Sequence, residues 1–318
     1  MDMSPAQEFI DHLKTHVQSV LPEDTMAEAG RKALLPDFID MLSHADGSRT
    51  GEDLEEVHDM RVATRRMRSA LRLLSDYYKP KSIQTFNRSL RKVAGALGSV
   101  RDLDVLIENL QKYQAKLGDE QKALFQPVID RLDGDRQHAR RVLVRVLDKG
   151  DFRRFVNDYA EFLTTQGAGA RSQDGTPAQV RYLLPTLIYE HLGTVRAYDA
   201  QIAEGDAATL HALRIEFKRL RYIVSLFASV LGSSSKNFIN ELKAIQDHLG
   251  NLNDSRVAQD RLSDLLPDLS EAEAEVLNGY IDTLRQEEEK LREQVGEVWR
   301  HFNSKTVQRQ LANAVTAL

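Results

Sequence analysis

Cysteine is absent from the 318-residue chain, which removes disulfides, thiolate zinc sites and cysteine nucleophiles from consideration. Proline is scarce at 8 residues and tryptophan occurs once, while charged residues reach 29%. That composition suits helices better than strands. No apolar run approaches the ~20 residues needed to span a bilayer. The opening MDMSPAQEF lacks the basic-then-apolar pattern of a secretory signal. The expectation is a cytoplasmic protein with no membrane segment. Net positive charge is lacking too: 43 Lys and Arg against 48 Asp and Glu leave a formal charge of -5. By itself that balance argues against an anionic partner.

The distribution of charge argues otherwise. Between Arg61 and Lys92 there are ten basic residues and one acid, Asp76. Between Asp264 and Glu297 there are eleven acids and three bases. Local basic surface, not net charge, decides where an anion docks.

The basic stretch belongs to an internal repeat. HDMRVATRRMRSALRLL from His58 aligns with HALRIEFKRLRYIVSLF from His211. His58 pairs with His211, Arg61 with Arg214, Arg65 with Lys218, Arg66 with Arg219 and Arg68 with Arg221. Downstream, Leu97-Gly98 pairs with Leu249-Gly250, and Asp102 with Asp254. Upstream, Arg31 with Leu34-Leu35-Pro36 resembles Arg181 with Leu183-Leu184-Pro185. The chain reads as two related halves, 26–160 and 177–318, preceded by an extra N-terminal helix in 1–25. The Gly- and Ser-rich segment Gln166–Thr176 is the expected linker.

Both halves read as helical. Met60, Ala63, Met67, Leu71 and Leu74 fall at helical spacing, as do Leu213, Leu220, Ile223, Val224 and Phe227. Further periodic stretches cover 119–148 and 270–303. Gly98 and Gly250 read as helix-ending glycines. Asp102 and Asp254 read either as caps of the next helix or as partners for nearby cations. The expected fold is all-α: four helices per half, arranged as two bundles.

On a helical wheel His58, Arg61, Arg65, Arg68 and Arg72 fall within an arc of roughly 80°. His211, Arg214, Lys218 and Arg221 repeat the stripe, whereas Arg66 and Arg219 are expected to face solvent. Like charges at i,i+4 destabilise a helix by roughly 0.2–0.5 kcal/mol per pair. Arg61, Arg65 and Arg68 have no acid at i±3 or i±4, and neither do Arg214, Lys218 and Arg221. Their charge must be met by acids on another helix or by an external anion. Arginine suits the second task, because its planar fork grips phosphate oxygens in pairs.

His58-x-x-Arg61-x-x-x-Arg65-Arg66-x-Arg68, its partner His211-x-x-Arg214-x-x-x-Lys218-Arg219-x-Arg221 and Leu97-Gly98-x-x-Arg101-Asp102 resemble the motifs of the CHAD family (conserved histidine α-helical domain). The resemblance covers nearly the whole chain, read as a single such domain over 1–318. It implies two four-helix bundles about a pseudo-two-fold axis, with a basic central cleft or pore. It further implies inorganic polyphosphate as partner, no catalysis, no cofactor or metal, and for some members association with polyphosphate granules. The contacts carried over are His58, Arg61, Arg65, Arg68, Arg72, His211, Arg214, Lys218 and Arg221. Arg88, Arg91, Lys92 and Lys243 would widen the basic surface, with Arg140 and Arg292 as further secondary contacts. Asn253 departs from the pattern, standing where the first half has Arg101. His138, Arg141 and Arg145 repeat the stripe's spacing but lie opposite the apolar face, where solvent is expected. Binding should weaken with salt, favour long chains and tighten toward acid pH if histidines contribute.

Two rival readings follow from the same residues. His44, His58-Asp59 and Asp102 or Asp104 could be cast as ligands of an HD-type metal phosphohydrolase. Against it, the repeat has Ala212 in place of Asp59, and a metal beside Arg61 and Arg65 would be repelled. Nucleic acid is disfavoured because no row of aromatics interleaves the stripe; only Tyr222 stands beside it.

Overall fold

The computed structural model describes residues 5–171, 178–202 and 205–318. Twelve α-helices stand among them, and no strand beyond two isolated bridges. Helices α1 (Pro5–Lys14), α2 (Met26–Ser43), the short α3 (Ala45–Thr50), α4 (Leu54–Leu73), α5 (Pro80–Gln114), α6 (Asp119–Asp148) and α7 (Gly150–Thr164) form the first part. Helices α8 (Val180–Arg196), α9 (Ala207–Leu226), α10 (Ser234–Ser263), α11 (Glu271–Phe302) and α12 (Lys305–Val315) form the second.

Local chemistry sets the helix starts. Thr25 accepts from the Glu28 amide at 3.2 Å, Asp53 from Glu55 at 2.9 Å and Asp206 from Thr209 at 2.7 Å. Ser270 and Glu273 form a reciprocal capping box. Pro80 opens α5, where its missing N–H leaves no intrahelical bond unmade. The apolar stripes then fix the packing. Val57, Met60, Ala63, Met67 and Leu71 of α4 are buried, as are Leu213, Phe217, Leu220, Ile223 and Val224 of α9.

α4 packs against α2 and α5, and α5 pairs with α6; α9 packs against α8 and α10, and α10 pairs with α11. The two parts meet where α4 touches α9, α6 touches α11 and α2 touches α8. The starts of α2 and α8 are tied by backbone bonds. The Met26 amide donates to Ala178 at 2.8 Å and the Val180 amide to Asp24 at 2.9 Å, around an antiparallel bridge between Thr25 and Gln179.

Three expectations differ from the structure. Each part holds more than four helices: α3, α7 and α12 are additional. Phe152, Phe155, Tyr159 and Phe162 of α7 build an aromatic ladder against Phe38 and Phe86. Gly98 and Gly250 do not end helices either; they lie in the interiors of α5 and α10. Glycine is tolerated there because flanking Leu97, Val100, Leu249 and Leu252 are buried and hold the helix together. The sequence boundary at 160 falls inside α7, which runs to Thr164. Positions 172–176 of the expected linker, and 1–4 of the N-terminal segment, lie outside the described residues. Trp299 is buried as expected, donating its indole N–H to Asp199 at 2.7 Å.

Candidate functional site

The contact of α4 with α9 brings the two basic stripes face to face. A cavity of about 900 Å³ opens between them, roofed by α2, α10 and the segment Gln18–Val20. His58, Arg65, Arg214, Lys218, Arg221 and Lys243 line it, all singled out from sequence. With Lys32 and Arg66, and leaving His58 aside, seven lysine and arginine side chains face three carboxylates, Asp37, Asp247 and Asp254.

The acids meet only part of this charge. Arg61 reaches Asp102 of α5 at 3.2 Å, and Arg214 reaches Asp254 of α10 at 3.6 Å. Asp102 and Asp254 are therefore ion-pair partners inside helices rather than caps. Gly98 and Gly250 complete the arrangement. A Cβ added at either would sit 3.8 or 3.9 Å from the Arg61 or Arg214 Nε, so each arginine lies across a bare stretch of helix. Arg66 pairs with Asp37 at 3.4 Å and Lys32 with Asp24 at 2.8 Å. Among the described residues, Arg65, Arg68, Arg72, Lys218 and Arg221 have no carboxylate within ion-pair distance. Arg65 Nε and Arg214 Nε are buried without a hydrogen-bond partner. Arg221 donates to Gln246 at 2.6 Å and lies 5.3 Å from the centre of the Tyr222 ring.

Lys218 carries the strain of this crowding. Burial first, then Arg214 and Arg65, push its pKa down from the ordinary 10.5 to about 8; Asp254 pulls the other way, and Arg61 adds a smaller push. Cations from both basic helices thus act on one ammonium. Asp37 moves the other way. Burial lifts its carboxyl to about 6 despite neighbouring Arg66. An anion entering the cavity favours the protonated carboxyl, so affinity should rise as pH falls through about 6. Asp37→Asn should raise affinity severalfold at pH 7–8 and flatten that part of the profile. Titration calorimetry of both proteins from pH 5 to 8 checks this; parallel profiles would count against Asp37.

The remaining candidates divide. Arg61 does not line the cavity; it pairs with Asp102 and acts electrostatically on Lys218. Arg68 is half-buried beside Arg72 and Arg91, outside the cavity lining, and burial followed by those two cations lowers its pKa. His211 is exposed and does not line the cavity: its Nδ1 lies 2.6 Å from Asn253 Oδ1. The departure at Asn253 thus occupies the second histidine while His58 faces the cavity. Arg88 and Arg91 line a separate concavity, and Lys92 pairs with Asp151 at 3.6 Å. Arg140 and Arg292 are not brought to the cavity. Arg140 packs beneath left-handed Gly51 (φ 67°), and Arg292 is held by Glu288 at 2.7 Å. His138, Arg141 and Arg145 are exposed as expected. Arg66 is exposed, as expected, and also borders the cavity, where it pairs with Asp37 of α2. Sequence reasoning missed Lys32 and Asp37, which carry no periodic signal of their own.

Three of the residues cast as metal ligands have other partners. His44 Nδ1 bonds Glu56 at 2.8 Å, Asp102 is taken by Arg61, and buried Asp104 faces Arg136 at 3.6 Å. Among the described residues, no group of three or more His, Asp or Glu is placed to hold a metal ion. No described helix is long and apolar enough to cross a membrane.

Comparison with known proteins gives a consistent result. Residues 32–263 match the CHAD domain. Two curated proteins of Mycobacterium tuberculosis, the uncharacterized proteins MT2285 and Rv2226, are each 28% identical over 237 residues. The match covers 70% of this chain and 43% of theirs, so the chain spans less than half the length of these relatives. The crystal structure of the CHAD domain from the plant Ricinus communis superposes with a TM-score of 0.66 at 20% identity, over 95% of both chains. PptA from Streptomyces chartreusis gives 0.68 at 16% identity, over 87% of this chain and 100% of its own. At such identities these two likenesses speak for the fold.

Proposed function

The chain belongs to the CHAD family, and from that premise we propose that it binds inorganic polyphosphate, without catalysis, in the cleft between α4 and α9. The observation that carries this reading is the crowding of Lys218 by Arg61, Arg65 and Arg214 from two helices. Excess positive charge in a shielded groove destabilises the empty protein. A ligand that brings a charge on every repeating unit relieves it along the whole groove. Arginine forks that line the cleft without a carboxylate partner among the described residues, at Arg65 and Arg221, suit phosphate oxygens.

The same reading takes the two halves as duplicates about a pseudo-two-fold axis, 26–160 and 177–318. The matched pairs Arg61–Asp102 and Arg214–Asp254, each over an intrahelical glycine, support it. Association with polyphosphate granules would follow from binding a long chain whose remainder stays free.

Displacement of counterions from the ligand makes binding steeply salt-dependent. Titration calorimetry with long-chain polyphosphate should give an affinity that falls at least tenfold between about 50 and 200 mM salt. A well-folded protein that fails to bind at the lower salt would sink the proposal.

A further inference from the structure

A second concavity, of about 570 Å³, lies where α4 hands the chain to α5. Lys81, Arg88, Arg91 and Arg171 line it, with Asp76 as its one carboxylate. Arg171 comes from the segment between the two halves, which composition marks only as linker. Its backbone is nonetheless held in place. The Arg171 amide donates to Tyr77 at 2.9 Å and the Lys79 amide to Gly169 at 2.8 Å, about an antiparallel bridge between Tyr78 and Ala170. Gly169 permits this path: its φ is 65°, and a Cβ would come within 2.9 Å of Phe162 and Ser82. Tyr78 is itself anchored, buried and donating to the Ala27 carbonyl at 2.6 Å. The second concavity thus rests on fixed backbone.

Basic residues of α4 stand between it and the first. Arg65 lines the cleft, Arg68 follows about one turn along α4 and Arg72 one turn further. Arg68 interacts electrostatically with both Arg72 and Arg91, and Arg91 lines the second concavity. The ion pairs made from this face are Arg61–Asp102, Arg66–Asp37 and Lys92–Asp151. Among the described residues Arg65, Arg68, Arg72, Arg88 and Arg91 have none. Only part of the track recurs in the other half, where Arg68 and Arg91 have Arg221 and Lys243 as counterparts. By position, Arg72 corresponds to Ser225 and Arg88 to Asn240 in the other half.

We propose that a polyanion held in the cleft leaves it over Arg68 and Arg72 and is gripped again by Lys81, Arg88, Arg91 and Arg171. This subsite gives the ligand path one direction and is reached only by chains longer than the cleft. The inference rests on the polyphosphate reading of the cleft and adds a specificity for length.

The test compares tripolyphosphate with long-chain polyphosphate in calorimetric titrations at low salt. The variant is Arg88→Glu with Arg171→Glu, both exposed positions, with Arg88→Gln and Arg171→Gln as a milder pair. Circular dichroism checks that each folds. The expected result is a loss of about tenfold or more for the long chain, with tripolyphosphate affinity within about twofold of wild type. Equal losses for both lengths, or no loss for either, would overturn the subsite. The cleft reading is decided separately, by whether Arg65→Glu with Lys218→Glu removes binding at both lengths. A wild type that binds neither ligand ends both ideas.

Discussion

Reversing two charges, Arg65→Glu with Lys218→Glu, should lower affinity for long-chain polyphosphate by about a thousandfold or more, ~4 kcal/mol. The two residues hold matching places in the two basic motifs and both line the cleft, where Arg65 acts on the charge of Lys218. The exchange removes two cations and adds two anions where the ligand must lie. The salt dependence should weaken as well, because fewer counterions are released on binding. The variant should fold. A glutamate at 218 meets Arg214 and Arg61, the cations that crowd the lysine. A double variant that stays folded and binds within about tenfold of wild type would place the ligand elsewhere.

A change of pH should separate affinity from stability in opposite directions. In the free protein Lys218 loses its proton near pH 8, whereas the unfolded chain holds it to about 10.5. A bound polyanion keeps it protonated. The contribution of Lys218 to affinity should therefore be full below pH 8 and decline above it, by at most about tenfold per pH unit. Stability of the empty protein runs the other way. Below pH 8 the charge is present in both states and its burial among arginines is a penalty. Between about 8 and 10.5 the unfolded chain binds more protons, so this group's contribution to stability rises with pH. After solvent screening the gain is about 1 kcal/mol. Lys218→Arg, which stays charged, should abolish both trends. Affinity measured by calorimetry and midpoints from chemical denaturation at pH 7, 8, 9 and 10 would read them together. A wild-type affinity that is flat over that range would remove Lys218 from the site.

Much of this was legible from the sequence because helices write their buried faces as a period. The stretch 119–148 coincides with α6, and 270–303 brackets α11 within a residue at each end. The charged stripe was legible for the same reason, since the wheel places Arg65 and Lys218 at equivalent angles on two helices. Glycine misled, because a bare position that admits an arginine side chain looks like one that ends a helix. Only the guanidinium of Arg61 over Gly98 tells the two apart. Asp37, Lys32 and Arg171 were illegible because their roles depend on what stands opposite. A wheel drawn for α4 does not reveal that α2 crosses beside Arg66. The motif likewise gave no sign that Asn253 would occupy His211.

The backbone tie between Thr25 and Gln179 joins positions about 150 residues apart in the chain. Closing so long a loop carries an entropic cost that neighbouring helix pairs such as α5 with α6, or α10 with α11, largely escape. Those local pairs should form first during folding, each half condensing on its own. The cleft has no existence until the halves dock, and docking drives two rows of like charge together. A polyanion present as the chain is made would then serve as a template for that last step. Refolding should speed up when polyphosphate is added, making the ligand an assembly factor for its own site.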